Sequence, residues 1–142
     1  MNLPISRITF YFIFLVAFTF FGCEKEEPSV LSRSELLISN TWVFKNMNAK
    51  GTGSDLLVEA AFALTYKGTE VKFNGDGTAF WKHSDGTVED GIWYFNQDLT
   101  VITATFGNYP SEDYTILDLT SSILVVQVSV NPGTVEMGLT KK

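Results

Sequence analysis

The single histidine of the chain, His83, directly precedes Ser84 and Asp85, so the residue types of a hydrolytic base, nucleophile and orienting acid occupy three successive positions. A Ser-His-Asp relay needs the imidazole within hydrogen-bond reach of both partners, and adjacent residues at a strand end do not converge in that way. These three residues read as a solvent-facing turn. Asp85, Glu89 and Asp90 gather carboxylates near the same turn. Their spacing is not that of a calcium loop, whose ligands alternate ahead of a Gly, so solvated hairpin charges are expected. A catalytic zinc or copper centre wants several His or Cys ligands, and one of each falls short. Two acids suffice for glycoside hydrolysis, but no spacing singles out such a pair. No glycine-rich loop precedes a helix to cradle a phosphate. The expectation is a protein that is not an enzyme, with no cofactor and no metal.

Cys23 is the other residue with chemistry of its own. It follows a positively charged Arg7 and the apolar run Ile8–Phe21, interrupted only by two Thr. Fourteen helical residues rise about 21 Å, short of the roughly 30 Å hydrocarbon core, so a secretory signal fits better than a spanning helix. Phe20-Phe21-Gly22-Cys23 resembles the lipobox of a bacterial lipoprotein signal. Phe20 stands where Leu is usual and Phe21 where a small residue is commoner, while Gly22 and Cys23 match. The resemblance implies a signal peptide over 1–22 and lipidation of Cys23, hence a membrane anchor and an outer-membrane address in the cell envelope. Several acyl chains on one Cys hold it nearly permanently. Glu24-Lys25-Glu26-Glu27 resembles the acidic tag that carries some lipoproteins to the cell surface; the same run also reads as a solvated linker.

Removing 1–22 takes away six of the twelve Phe and leaves nine Lys/Arg against sixteen Asp/Glu. One Cys cannot form an internal disulfide, and an acidic chain without a basic run is a poor nucleic-acid partner. The remaining length suits one domain. Residues 23–35 read as a lipidated tether and 36–142 as the folded domain. Ser34–Ile38 reads as a single helical turn.

From Thr41 onward, turn residues recur about every ten positions, which is the all-β pattern. The expected strands are 41–48, 69–74, 78–84, 89–96, 99–106, 112–118, 122–130 and 134–140. Asn74-Gly75-Asp76-Gly77 offers two glycines for the positive φ of a hairpin. Connections this short exclude parallel crossovers. One segment differs: Leu57, Ala60, Ala61 and Leu64 recur at helical spacing, predicting a helix over about 54–66. The fold class is therefore all-β, an eight-stranded antiparallel up-and-down barrel with one helix between strands 1 and 2.

The ordered set Leu37, Thr41-Trp42, Tyr66-Lys67-Gly68, Val71-x-Phe73-x-x-x-Gly77-Thr78, Gly91-x-Trp93 and Tyr114-x-Ile116-x-x-Leu119 resembles the lipocalin-like lipoproteins, calycin relatives of the lipocalins and fatty-acid-binding proteins. It covers about residues 36–140. Asn40 stands where that family commonly has Gly. The resemblance implies a lipocalin-like barrel that either binds small apolar molecules or has no assigned activity, with Trp42 as a structural plug. Strand alternation makes Phe44, Phe73, Phe80, Trp93, Phe95, Ile102 and Tyr114 lumen candidates, with parity open at Phe80-Trp81 and Trp93-Tyr94-Phe95. Phe62, Leu64 and Tyr66 are lid candidates on the helix. Two functions follow: a small hydrophobic ligand bound in the barrel, or a filled barrel that docks another envelope protein. Ile123-Leu124-Val125-Val126, apolar on both faces, motivates the second.

Overall fold

A computed structural model describes residues 31–142; the expected signal segment and the expected lipidation site, Cys23, lie outside them. The elements run α1 (Arg33–Ser39), β1 (Thr41–Lys50), α2 (Asp55–Tyr66), β2 (Glu70–Phe73), β3 (Thr78–Lys82), β4 (Val88–Phe95), β5 (Val101–Phe106), β6 (Glu112–Leu119), β7 (Ile123–Ser129) and β8 (Thr134–Lys141). Each strand pairs antiparallel with its sequence neighbour, and β8 returns to β1, closing an eight-stranded up-and-down barrel. The strands and the long helix stand where the turn spacing put them.

Hairpin chemistry sets the β2–β3 and β3–β4 corners. In both, an Asp-Gly-Thr sequence makes the same turn: Asp76 Oδ1 accepts from the amide and hydroxyl of Thr78, and Asp85 Oδ1 from those of Thr87. Gly77 and Gly86 take φ of +85° and +89°, the left-handed region that glycine enters without steric cost. Only Gly77 of the Gly75/Gly77 pair supplies the expected positive φ. These hydrogen bonds hold the Asp76 and Asp85 carboxyls below the usual carboxylate range, chiefly through the Thr hydroxyls.

Two bulges reset the alternation. Between Phe44 and Asn46 the β1 register slips against β8, so Phe44 and Ala49 are both buried although they stand five positions apart, which regular alternation would put on opposite faces. Between Ile116 and Asp118 the same device turns Leu117 to solvent while Ile116 is buried.

The barrel ends differ. At one end α1 forms a plug. Its Ser32 cap and Glu35 bond reciprocally to each other's backbone amides, a capping box that fixes the start of two turns where a single turn was expected. Because α1 begins at Arg33, the last residues of the expected 23–35 tether are helical. Leu37 and Trp42 are fully buried, and the Trp42 indole Nε1 donates to Leu37 O at 2.9 Å. Asn40 Nδ2 donates to Ser121 O at 3.1 Å, and Lys72 Nζ donates to Ile38 O.

At the other end β1 outruns its partner. β2 pairs only with Thr41–Val43, leaving the second half of β1 without a strand on that side. α2 covers this edge, and Glu59 Oε1 accepts from the Ala49 amide at 2.9 Å. Val58 packs beside Ala49, Val128 and Val135, and Phe62 and Tyr66 follow it toward the barrel. The predicted apolar stripe of the helix faces the other way. Leu57 and Leu64 are 73% and 86% exposed, so Leu64 is not a lid contact. The barrel-facing set is instead Val58, Phe62 and Tyr66, spaced four apart, and aromatic area outweighs the smaller Leu/Ala stripe in choosing the buried face.

Candidate ligand-binding site: a two-tiered barrel interior

The interior between plug and lid holds two adjoining spaces that share part of their lining. The lower one, about 60 Å³, is walled by Phe44, Val71, Phe73, Ile102, Leu124 and Leu139, with Tyr66, Trp81, Phe106 and Tyr114 above. The upper one, about 310 Å³, opens beneath α2 and is walled by Phe62, Tyr66, Trp81, Phe106, Tyr109 and Tyr114. That volume lies at the lower end of the roughly 300–1,000 Å³ range of ligand pockets. Ala104 lines both tiers: its methyl group is small among aromatic neighbours, which leaves the space open.

An aromatic chain divides the tiers. Phe62 stacks on Tyr66 with centroids 5.1 Å apart, Tyr66 lies 5.2 Å from Trp81, and Trp81 meets Phe106 edge-on at 5.3 Å. Phe44 adds a tilted contact to Tyr66 at 6.0 Å. Helix α2 thus reaches the barrel wall through tilted ring contacts from Tyr66, which hold preferred geometry without a rigid backbone link.

The sequence candidates divide accordingly. Phe44, Phe73, Ile102 and Tyr114 line the lower tier, and Phe62 and Tyr66 line the upper. Trp93 and Phe95 do not line either space. Trp93 is buried in the floor, edge-on to Phe73 and Phe95 at 5.3 Å each, with Nε1 donating to Asn74 O at 2.9 Å. Phe80 points outward: it stands across from Lys72 and Asp90, while its neighbours Ala79 and Trp81 face the core. Trp81 takes the place that Phe80 was assigned. The signal was in the hairpin register, because Phe73 pairs with Ala79 and cross-strand partners share a face, which commits Trp81 to the interior.

His83 continues that face. Its ring stacks on Trp81 at 5.7 Å and 8°, and it lines the upper tier, where sequence reasoning had expected solvent. Ser84 is exposed and Asp85 is committed to Thr87, so the three residues do not converge. Glu89 also turns inward, while Asp85 and Asp90 are exposed. Among the described residues no three His, Cys, Asp or Glu side chains come together as a metal-binding group.

Two of the three tyrosines in this wall, Tyr66 and Tyr114, are half-buried. Burial, followed by the nearby Glu112 charge, pushes the Tyr114 phenol far above its ordinary value, and its hydroxyl donates to Glu112 Oε2 at 3.2 Å. Burial and then Glu112 likewise raise Tyr66. Both phenols are neutral donors at physiological pH.

The fold and its interior define a closed antiparallel barrel with an apolar chamber under a helical lid. No protein-family model matches the chain. No curated protein matches it. Among solved structures it is similar to a DUF4847 family protein from Bacteroides vulgatus, with 12% identity over 78% of this chain and 98% of that one and a TM-score of 0.55. At that identity the likeness is one of fold.

Proposed function

We propose that the chain is a membrane-tethered, lipocalin-like lipoprotein of the bacterial envelope that binds a small hydrophobic ligand and performs no chemistry. The two-tiered interior carries the ligand reading: an apolar chamber, closed below by the Leu37–Trp42 plug and roofed by aromatic side chains, with few polar groups to orient a guest. The anchor reading rests on the residues around Cys23.

Trp81 is the one tryptophan that lines the chamber, so its fluorescence reports occupancy. Purified protein is expected to carry a co-purified apolar molecule in native mass spectrometry, and alkyl compounds or sterols are expected to change its emission, with Trp81→Phe silent. A chain that carries nothing and answers to none of them sinks the ligand reading. Cys23→Ser should release the protein from the membrane fraction, and unchanged fractionation would refute the anchor.

One observation favours a second reading, an envelope interaction module. Leu56, Leu57 and Leu64 lie exposed on α2, with Ala60 and Ala61 exposed among them. A stripe of this kind suits a protein contact.

A further inference from the structure

The charge of the upper tier is one-sided. Glu89 from β4 and Glu112 from β6 line it, and among the described residues no Lys or Arg lines either tier. Register explains their orientation: Glu89 stands across from Trp81 and Glu112 across from Ala104, both interior residues, and cross-strand partners share a face. Neither carboxylate belongs to a Lys or Arg ion pair among the described residues, where the pairs are Lys50–Glu136 and Lys142–Glu70. Glu112 accepts one bond, from Tyr114. Glu89 Oε1 lies 3.3 Å from His83 Nε2 without a hydrogen bond between them, and that buried nitrogen has no other partner among the described residues.

A mouth with spare acceptors and no Lys or Arg asks its ligand for donors. The rings around it ask for the same charge, since Tyr66, Trp81, Tyr109 and Tyr114 present π systems whose faces attract cations. An anionic head would stand there beside two like charges, with no Lys or Arg in the lining to pair it. The lower tier, lined almost wholly by apolar groups, accepts only chain or ring.

We infer that the ligand is a cationic amphiphile, an alkyl or aryl amine whose apolar part enters the lower tier and whose ammonium group is held by Glu89 and Glu112 within the aromatic mouth. This rests on the ligand-binding reading above and names its ligand class.

Decylamine, decanol and decanoate share one chain and differ only in the head, so titrating each into the purified protein isolates the head group. The amine should bind at least about tenfold tighter than the acid, with the alcohol between them, as expected for cation–π contacts joined to two carboxylates at a part-exposed mouth. In a Glu89→Gln/Glu112→Gln variant the amine preference should fall below about threefold while the alcohol affinity stays constant, which also shows that the variant folds. Asp118→Asn, an exposed carboxylate toward the plugged end, should leave the preference intact and so exclude an effect of net charge. The same series in His83→Gln removes the imidazole as a competitor for Glu89. Equal or reversed affinities, or a preference that survives in the Gln variant, overturn the head-group inference and leave the barrel a binder. If none of the three compounds binds, both readings fail.

Discussion

Gly91 and Phe106 stand opposite each other across β4 and β5, and the Phe106 ring lies where a Gly91 side chain would be. A Cβ on Gly91 would fall 2.6 Å from Phe106 Cδ1 and closer still to the Thr105 carbonyl oxygen. The strand glycine leaves its own backbone uncovered, and the facing aromatic covers it. This gives the Gly-x-Trp motif a physical content: Gly91 makes room for Phe106, and two residues on Trp93 ties the floor to Asn74. Gly91→Ala should cost about 1–3 kcal/mol, the usual range for overpacking, because a backbone oxygen cannot step aside cheaply. Because Phe106 lines both tiers and meets Trp81, the same variant should also alter Trp81 emission. A urea titration with wild-type stability would show that the β5 backbone and the Phe106 ring both yield to the added methyl group.

Ala104 marks the position where the chamber can be filled from the wall. It is buried, lines both tiers, and lies next to the Phe106 and Tyr114 rings in the cavity wall. Ala104→Leu grows into existing space, so stability should change by less than about 1.5 kcal/mol while binding of an apolar ligand weakens at least about tenfold. Unchanged affinity in a folded variant would place the ligand elsewhere.

The architecture was legible because turns and strand periods are local. The Asp-Gly-Thr corners, the short connections and the Ala/Leu-rich helix all announce themselves within a few residues. Facing was harder. Phe80 and Trp81 are adjacent, equally apolar, and separated only by which one shares a face with Phe73, a matter of hairpin register. Helix α2 shows the same limit. Its Leu/Ala stripe and its Val58/Phe62/Tyr66 stripe have one periodicity, and the choice between them depends on Trp81 and Phe44, which lie on distant strands. Glu89 reads as a hairpin charge and His83 as a solvent-facing turn residue because nothing in their own neighbourhood reveals that the strand end turns them beneath a lid.

Alkaline pH should loosen the aromatic roof. The Tyr66 and Tyr114 phenols are both raised, first by burial and next by Glu112, so the folded state holds their protons more tightly than the unfolded chain does. A group raised in this way contributes stability that is fully present below the unfolded value, near 10, and is lost as pH rises through the folded one. Stability should therefore decline above about pH 10. Tyrosinate absorbance from these two residues should appear only with unfolding, and Tyr114→Phe should make the decline shallower. A smooth titration of every tyrosine in the native state would contradict the burial of these phenols.

The plug should be separable from the mouth. Leu37 is fully buried against Trp42, and α1 is fastened by Asn40 to Ser121 and by Lys72 to Ile38, all at the end of the barrel away from α2. Leu37→Ala removes a buried side chain from a site whose neighbours are held by hydrogen bonds and collapse poorly, so a loss of about 2–5 kcal/mol is expected. The Trp42–Leu37 bond uses the backbone carbonyl and survives the change, which keeps the floor in place. Ligand affinity in the remaining folded protein should then change by less than about threefold, since sites without shared partners behave independently. Denaturation midpoints and decanol titrations on one preparation separate the two effects. A large fall in affinity with little loss of stability would mean that the plug, and not the lidded mouth, gates the chamber.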